Sequence, residues 1–300
     1  MNKHMKIFDC FMYFDEEMIL DVRLNTLDKY VDYFIISESN FTHSGKRRDL
    51  NFDINKYKKF EDKIIYLIYD KEPSDVEAIN ENDHKNEKAR KKIMNAVKRE
   101  NGQRNYLQNG LKDAGNEDII LVSDVDEIPN LTNVNFTNFK NKIIQFKQDM
   151  FYYKFNLVLP KLDWTGTKGC RKKNLINLQW LRNIKDRKYS ILRPDILLSN
   201  KKYSDIFFVE NGGWHFTNIK SPKDIKYKLS SYLHHIEYDE KPMDVNEIEN
   251  IINKKMAIYD LNLDKKLNKL GEGKKLELYD MNKLPPYIKE NKKKFEGWLD

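Results

Sequence analysis

The residues of this chain best suited to chemistry are Asp124 and Asp126, with Glu127 directly behind them. They follow Ile119, Ile120, Leu121 and Val122, an apolar run of the kind that forms a buried strand. In extended chain, residues two apart point to the same side, so both carboxylates can face one ion while Val125 points away and anchors the loop. Carboxylate oxygens are hard ligands suited to Mg2+ or Mn2+, ions that commonly keep positions open for phosphate oxygens. Pro129 then ends the element. An isolated Asp-x-Asp is more often a turn cap than a ligand. The apolar strand before this one, the third acid after it and its place at a sheet edge favour ligand binding.

The elements that must position these acids alternate. Residues 7–14 read as a buried strand, Asp15 as an N-cap, and residues 16–27 as an amphipathic helix with Leu20, Leu24 and Leu27 on one face. Residues 31–36 and 63–69 return to strand character. A long polar helix is expected over 87–114, with Ala89, Ile93, Val97, Leu107, Leu111 and Ala114 inward, Gly102 interrupting it and Gly115 ending it. This alternation predicts an α/β fold of βαβ units with a mostly parallel sheet flanked by helices. Such a sheet carries its ligand crevice at the carboxyl ends of its strands, where the polar clusters 37–40 and 123–127 fall. Further on, residues 145–159 read as β-rich and 163–169 as a loop. Ser221 and Pro222 start a helix with Ile225, Leu229, Tyr232, Leu233 and Ile236 on one face. Asp244 and Glu247 have capping-box spacing, with Ile248, Ile252 and Tyr259 as the apolar positions that follow. The Lys-rich tail beyond 270 is expected to wrap the surface. With no internal repeat and no linker, the chain reads as a domain over 1–240 and a helical extension, 241–300, packed on it.

Composition narrows the class. Three hundred residues, 40% apolar and 12% aromatic, suffice for one substantial core. No apolar stretch reaches the roughly 18–20 residues of a membrane-spanning helix. The N-terminal apolar stretch carries Asp9 and lacks a small-residue cleavage site, which argues against a signal peptide. Two cysteines, Cys10 and Cys170, cannot build a disulfide framework or a Cys-rich zinc site. A reduced, soluble, cytoplasmic protein is the expectation. The net charge of +7, with 34% of residues charged, favours anionic ligands without choosing among them.

Two enzymatic readings of the Asp-x-Asp compete. A phosphatase of the haloacid-dehalogenase type places it on the first strand, with Thr or Val two residues after the second Asp. This strand is the fourth, and Ile128 and Pro129 follow. A nucleotide-sugar glycosyltransferase fits better. Residues 38–42 followed by Ser44 and Gly45, the run 123–129 and residues 213–216 occur in this order in glycosyltransferase family 17, which the chain resembles over residues 6–240. The pairs Arg23-Leu24 and Leu27-Asp28 also resemble that family's opening helix, and Gln103, Arg104 and Asn105 its helix before the Asp-x-Asp strand. The family includes β-1,4-mannosyl-glycoprotein 4-β-N-acetylglucosaminyltransferases.

The resemblance implies a GT-A-type, Rossmann-like fold, a UDP-N-acetylglucosamine donor, a divalent metal (Mn2+, or Mg2+), inversion at the anomeric carbon and a glycan acceptor hydroxyl. It matches Asp124 and Asp126 to the metal-binding acids and His215 to the family's Gly-Trp-His, where a histidine completes the metal site. Glu38 at the end of the second strand, Arg104 with a planar fork suited to phosphate, Ser123 and Asp124 are the candidates for the donor. Trp164 and Gly166 are candidates for an acceptor platform. Glu127 is the candidate general base inside a motif, with Asp195 and Glu210 as outsiders. Each has a plainer alternative: His215 as a core histidine, Glu38 as a cap on loop amides, Arg104 in a helix salt bridge, Trp164 packing a loop, Glu127 orienting the turn. The neighbours His234 and His235 read as structural. A carbohydrate- or nucleic-acid-binding protein is the non-enzymatic alternative, although nothing resembles a nucleic-acid module and no nucleic-acid partner is expected. Animal members carry an N-terminal anchor and stem; this chain begins almost on its first strand, which implies a soluble microbial or viral enzyme or a trimmed form.

Overall fold

The computed structural model describes residues 5–162, 164–231, 235–261 and 268–300, without the side chains of Leu197 and residues 235–237. Asp163, Tyr232, Leu233 and His234 lie outside the described residues, as do the side chains of His235 and Ile236. The strands are β1 (Ile7–Tyr13), β2 (Tyr33–Ser39), β3 (Ile64–Tyr69), β4 (Ile119–Asp124), β5 (Glu127–Pro129) and β6 (Ile143–Tyr152). They continue with β7 (Leu157–Val158), β8 (Trp164–Arg171), β9 (Ile206–Val209), β10 (Gly213–Thr217) and β11 (Glu277–Leu278). The helices are α1 (Glu17–Leu27), α2 (Lys85–Tyr106), α3 (Leu178–Asn183) and α4 (Pro194–Leu197). After them come α5 (Pro222–Ser231), α6 (His235–Glu240), α7 (Val245–Asn253) and α8 (Pro286–Glu290).

The fold is α/β, with one large sheet flanked by helices. Its first block, β3-β2-β1-β4, is entirely parallel. Beyond it β8 runs antiparallel to both β4 and β6, while β6 also takes β9 and β10 in parallel. The parallel block is buried on both faces, which is why its strands are nearly continuous apolar runs. Alternation within them divides two cores. Phe11, Phe34, Ile36, Ile119 and Leu121 face α1, while Phe8, Cys10, Ile35, Ile120 and Val122 face Leu107, Leu111 and α3. A third cluster joins Met150 and Tyr152 of β6 to Ile225 and Leu229 of α5 and to Ile248 and Ile251 of α7.

Several elements differ from the sequence reading, each for a local reason. Asp15 is not the cap of α1. It pairs with Lys220, and Glu16 occupies the N-cap position with Oε2 accepting from the amides of Phe14 and Asp15 at 3.2 and 3.1 Å. The long polar helix runs through Gly102 and ends at Tyr106, before a single 3-10 turn over Leu107–Leu111. Glycine is needed at 102 because a Cβ would meet the Tyr69 hydroxyl at 2.3 Å. The buried side of α2 is polar, with Lys91, Asn95, Arg99, Gln103 and Arg104, while Ile93 is 44% exposed. Apolar spacing misreads this helix because its inner face bonds the loop before it, through Asp83, Glu77 and Glu72, and reaches strands only through Gln103 and Arg104. Residues 164–171 form β8 instead of a loop, since Gly166 and Gly169 sit where a side chain would strike neighbouring strands. The Ser221 cap and the Asp244–Glu247 capping box are both present.

Candidate active site

A cavity of about 340 Å3 opens at the carboxyl ends of β1, β2 and β4; Phe14, Ser39, Asp124, Asp126, Trp164 and His215 are among its walls. A second cavity of about 610 Å3 adjoins it, sharing Tyr13, Glu16, Asp126, Asn218 and Lys228. Strand topology accounts for the place: three parallel strands deliver their last residues to one edge.

Asp124 closes β4. Its Oδ1 accepts from Arg104 Nη2 at 2.9 Å and its Oδ2 from Arg182 Nη2 at 3.0 Å. Partial burial works against its charge, but Arg182 and Arg104 outweigh it and hold the carboxyl well below the usual carboxylate range. The chain then turns at Val125 and Asp126, so the alternation of an extended strand does not govern the pair. Val125 is buried in the core, and Asp126 faces a different set of cations. Its Oδ1 lies 3.5 Å from His215 Nε2 and its Oδ2 3.6 Å from Lys228 Nζ of α5. Burial opposes ionisation of Asp126, and His215 and Lys228 overcome it, lowering its pKa. The same contacts work in reverse on His215. Burial disfavours the imidazolium, yet Asp126, Glu127 and Asp124 raise its pKa above the ordinary 6.5.

His215 is placed by β10, whose first residue must be glycine: Gly213 has φ +129°, and a Cβ there would meet the Ile128 carbonyl oxygen at 2.2 Å. The imidazole lies against Trp164, ring centroids 5.1 Å apart, and its Nδ1 is buried without a hydrogen-bond partner. Trp164 in turn donates from Nε1 to Glu127 Oε1 at 2.7 Å.

Glu127 is fully buried and does not line the cavity. Its Oε1 also accepts from Arg182 Nη2 at 2.7 Å, and its Oε2 accepts from the Asp124 amide at 2.9 Å. These bonds brace the turn, the arginine and the tryptophan together. Ser123 is equally buried, its Oγ accepting from Arg23 Nη2 at 2.6 Å. Glu38 organises the loop above β2, accepting from Arg48, the amides of Asn51 and Phe52, and the Tyr66 hydroxyl at 2.7–3.0 Å. Arg104 is a buried helix arginine held by Gln179, Glu100 and Asp124, with Nε unpartnered. Gly166 lies beneath Gln148 and Glu127 and gives its carbonyl to Arg182 Nη1 at 2.6 Å; it is not on the cavity wall. The outsiders stay outside: Asp195 pairs with Arg193 and Lys202, and Glu210 with Lys147.

The structure thus brings Asp124, Asp126, Trp164 and His215 to one cavity and sets Glu38, Arg104, Ser123, Glu127 and Gly166 behind it. It adds two cations that sequence reading passed over. Arg182 of α3 bridges Asp124 and Glu127, and Lys228 of α5 reaches Asp126. No motif marks either one. Lys228 could have been suspected from its place beside Leu229, on the flank of a helix whose buried face was legible.

Among the described residues no group of three or more His, Cys, Asp or Glu side chains is arranged to hold a metal ion. Asp126 Oδ1 and His215 Nε2 are the pair that could hold one, with the imidazole neutral and substrate phosphates completing the shell. Both oxygens of Asp124 are already taken by arginine.

An α/β sheet whose parallel strands end in an acid- and cation-lined cavity is the frame on which phosphorylated and nucleotide ligands are commonly bound. The chain belongs to glycosyltransferase family 17, whose family model matches residues 1–299, and it is therefore a glycosyltransferase. No curated protein matches it. Among solved structures it is similar to HddC from Yersinia pseudotuberculosis, at 12% identity over 70% of this chain and 92% of that one, with a TM-score of 0.33. It is also similar to the inositol-1-phosphate CTP transferase from T. maritima, at 10% identity over 70% and 88%, with a TM-score of 0.30. No helix among the described residues is long and apolar enough to cross a membrane.

Proposed function

We propose that the protein is an inverting GT-A-type transferase that moves N-acetylglucosamine from UDP-N-acetylglucosamine to a glycan hydroxyl, of the β-1,4-mannosyl type by family resemblance. The observation that carries this reading is the cation set around the Asp-x-Asp turn: Lys228 and His215 on the cavity wall, backed by Arg104 and Arg182 behind Asp124. Fixed positive groups there suit a diphosphate leaving group, whose charge grows as the glycosidic bond breaks. Lys228 lines both cavities and is placed to donate to a phosphate oxygen. Trp164 offers its ring to the C–H face of a sugar, and Glu127 keeps that ring and Arg182 in place. A Mn2+ or Mg2+ ion held by Asp126 and a neutral His215 would take the place of the imidazolium charge at the diphosphate.

The attacking hydroxyl needs a carboxylate within reach to take its proton. Glu127 is too deeply engaged for that step. Glu16 fits it better: it lines both cavities, its Oε2 is fixed by two amides, and its Oε1 lies 4.0 Å from Lys220 Nζ. The test is calorimetric binding of UDP with and without Mn2+, followed by UDP release from UDP-N-acetylglucosamine with a panel of glycan acceptors. Asp126→Asn should remove the Mn2+-dependent part of UDP binding and all transfer. Unchanged turnover in that variant would overturn the reading.

A further inference from the structure

Between α3 and β9 the chain makes an excursion that no part of the site uses. Its base is pinned by two backbone bonds, Lys185 N–H to the Lys201 carbonyl at 2.9 Å and Tyr189 N–H to the Tyr203 carbonyl at 3.1 Å. Beyond them the tip folds through successive turns, with amides of Arg193, Ile196 and Ser199 bonding carbonyls three residues back. Three large apolar side chains project from this tip: Ile191 is 78% exposed, Leu192 88% and Leu198 94%. Apolar side chains scattered singly on a surface need no explanation, but three on one tip do. They line neither cavity of the site.

Charge identifies the occupant. Residues 185–202 hold six basic residues against two acidic ones. Arg187, Arg193 and Lys202 gather around the buried Tyr189 ring, 4.8, 5.6 and 5.7 Å from its centroid, and Asp195 is already neutralised by Arg193 and Lys202. Lys185, Arg187, Lys188 and Lys201 are exposed. An apolar tip ringed by cations complements an acidic lipid surface: leucine and isoleucine enter the boundary of the acyl chains while lysine and arginine stay among the phosphates.

We propose that residues 185–202 are a peripheral docking element for an anionic membrane surface. The experiment is co-sedimentation of the full chain with vesicles of phosphatidylcholine, with and without phosphatidylglycerol. About tenfold or greater preference for the anionic vesicles is expected, weakening as salt is raised. The paired substitutions Leu192→Ser with Leu198→Ser, and Lys185→Glu with Lys188→Glu, should each reduce binding about tenfold. All four positions are exposed, so circular dichroism and the melting temperature should not change. Equal binding to both vesicle types, or binding that survives the leucine substitutions, would overturn the proposal. So would a dimer in light scattering that the leucine substitutions dissolve, which would make the tip an interface between copies of the chain.

Discussion

Glu127 holds Arg182 and Trp164 from behind the cavity while Glu16 stands on its wall, and substitution should separate the two roles. Glu127→Gln leaves Arg182 with one fewer charge partner in a buried setting, so it should lower stability by about 3 kcal/mol and weaken UDP binding together with turnover. Glu16→Gln should leave stability and donor affinity near wild type while kcat falls about 10²–10⁴-fold, the usual contribution of a general base. Denaturant unfolding and calorimetry read the first pair of quantities, steady-state kinetics the last. If Glu127→Gln alone removes kcat while UDP binding and stability are untouched, the roles assigned to Glu16 and Glu127 are reversed. The cysteines offer a pH readout at the same scale. Burial pushes the Cys170 thiol up to about 12, and burial together with Asp9 raises Cys10 as well. Reactive thiolate is therefore scarce in the folded protein below that range, and alkylation by iodoacetamide at pH 8–9 should be slow until denaturant is added, with both thiols then reacting. Rapid labelling of the native protein would contradict the packing around them.

At the scale of elements, the turn between β4 and β5 depends on α1. Arg23 is fully buried, pairs with Asp9 of β1 through two bonds of 2.6 and 2.8 Å, and donates Nη1 to the carbonyls of Asp124, Val125 and Glu127 at 2.9–3.1 Å. One guanidinium thereby fixes a helix, a central strand and the backbone of the Asp-x-Asp turn. Arg23→Met should cost about 3–5 kcal/mol, because it strands a buried carboxylate and frees three carbonyls. Adding Asp9→Asn should recover part of that loss, and chemical denaturation of the three proteins checks it. Sequence reading reached the elements involved, since continuous apolar runs and the leucine spacing of α1 report directly on burial. It could not reach the contacts. Asp9 and Arg23 are fourteen residues apart and look like ordinary polar residues until helix and strand are packed. The same limit explains α2, whose inner face of Lys91, Asn95, Arg99 and Gln103 carries no hydrophobic signal. It also explains Arg182, which lies fifty-eight residues from the aspartate it binds.

Across the whole molecule, the last thirty residues run mostly over the surface and are anchored in the main core by single apolar side chains. The Lys-rich composition suggested a wrapping tail, and it concealed single apolar residues that are buried: Leu284, Ile288 and Phe295 all join the cluster that contains Phe11, Phe34 and Leu121. The Phe295 ring packs edge-on against Phe155 at 5.3 Å. The Phe155 amide donates to the Trp298 carbonyl at 2.9 Å. Asn156 exchanges two bonds with Asp300, at 2.8 and 3.0 Å. On the other side, the Trp214 indole, one residue before His215, donates to the Lys283 carbonyl at 3.0 Å. The tail thus closes the core beneath β10, and Trp298 forms part of the second cavity's wall. Phe295→Ala should cost about 3–5 kcal/mol, the usual loss for a buried aromatic that leaves a cavity. Deleting residues 291–300 should cost at least as much, and it should weaken acceptor-dependent turnover more than UDP binding, because the smaller cavity keeps its walls. A truncated protein with wild-type unfolding midpoint and kinetics would mean that β10 and its histidine are held by the sheet alone.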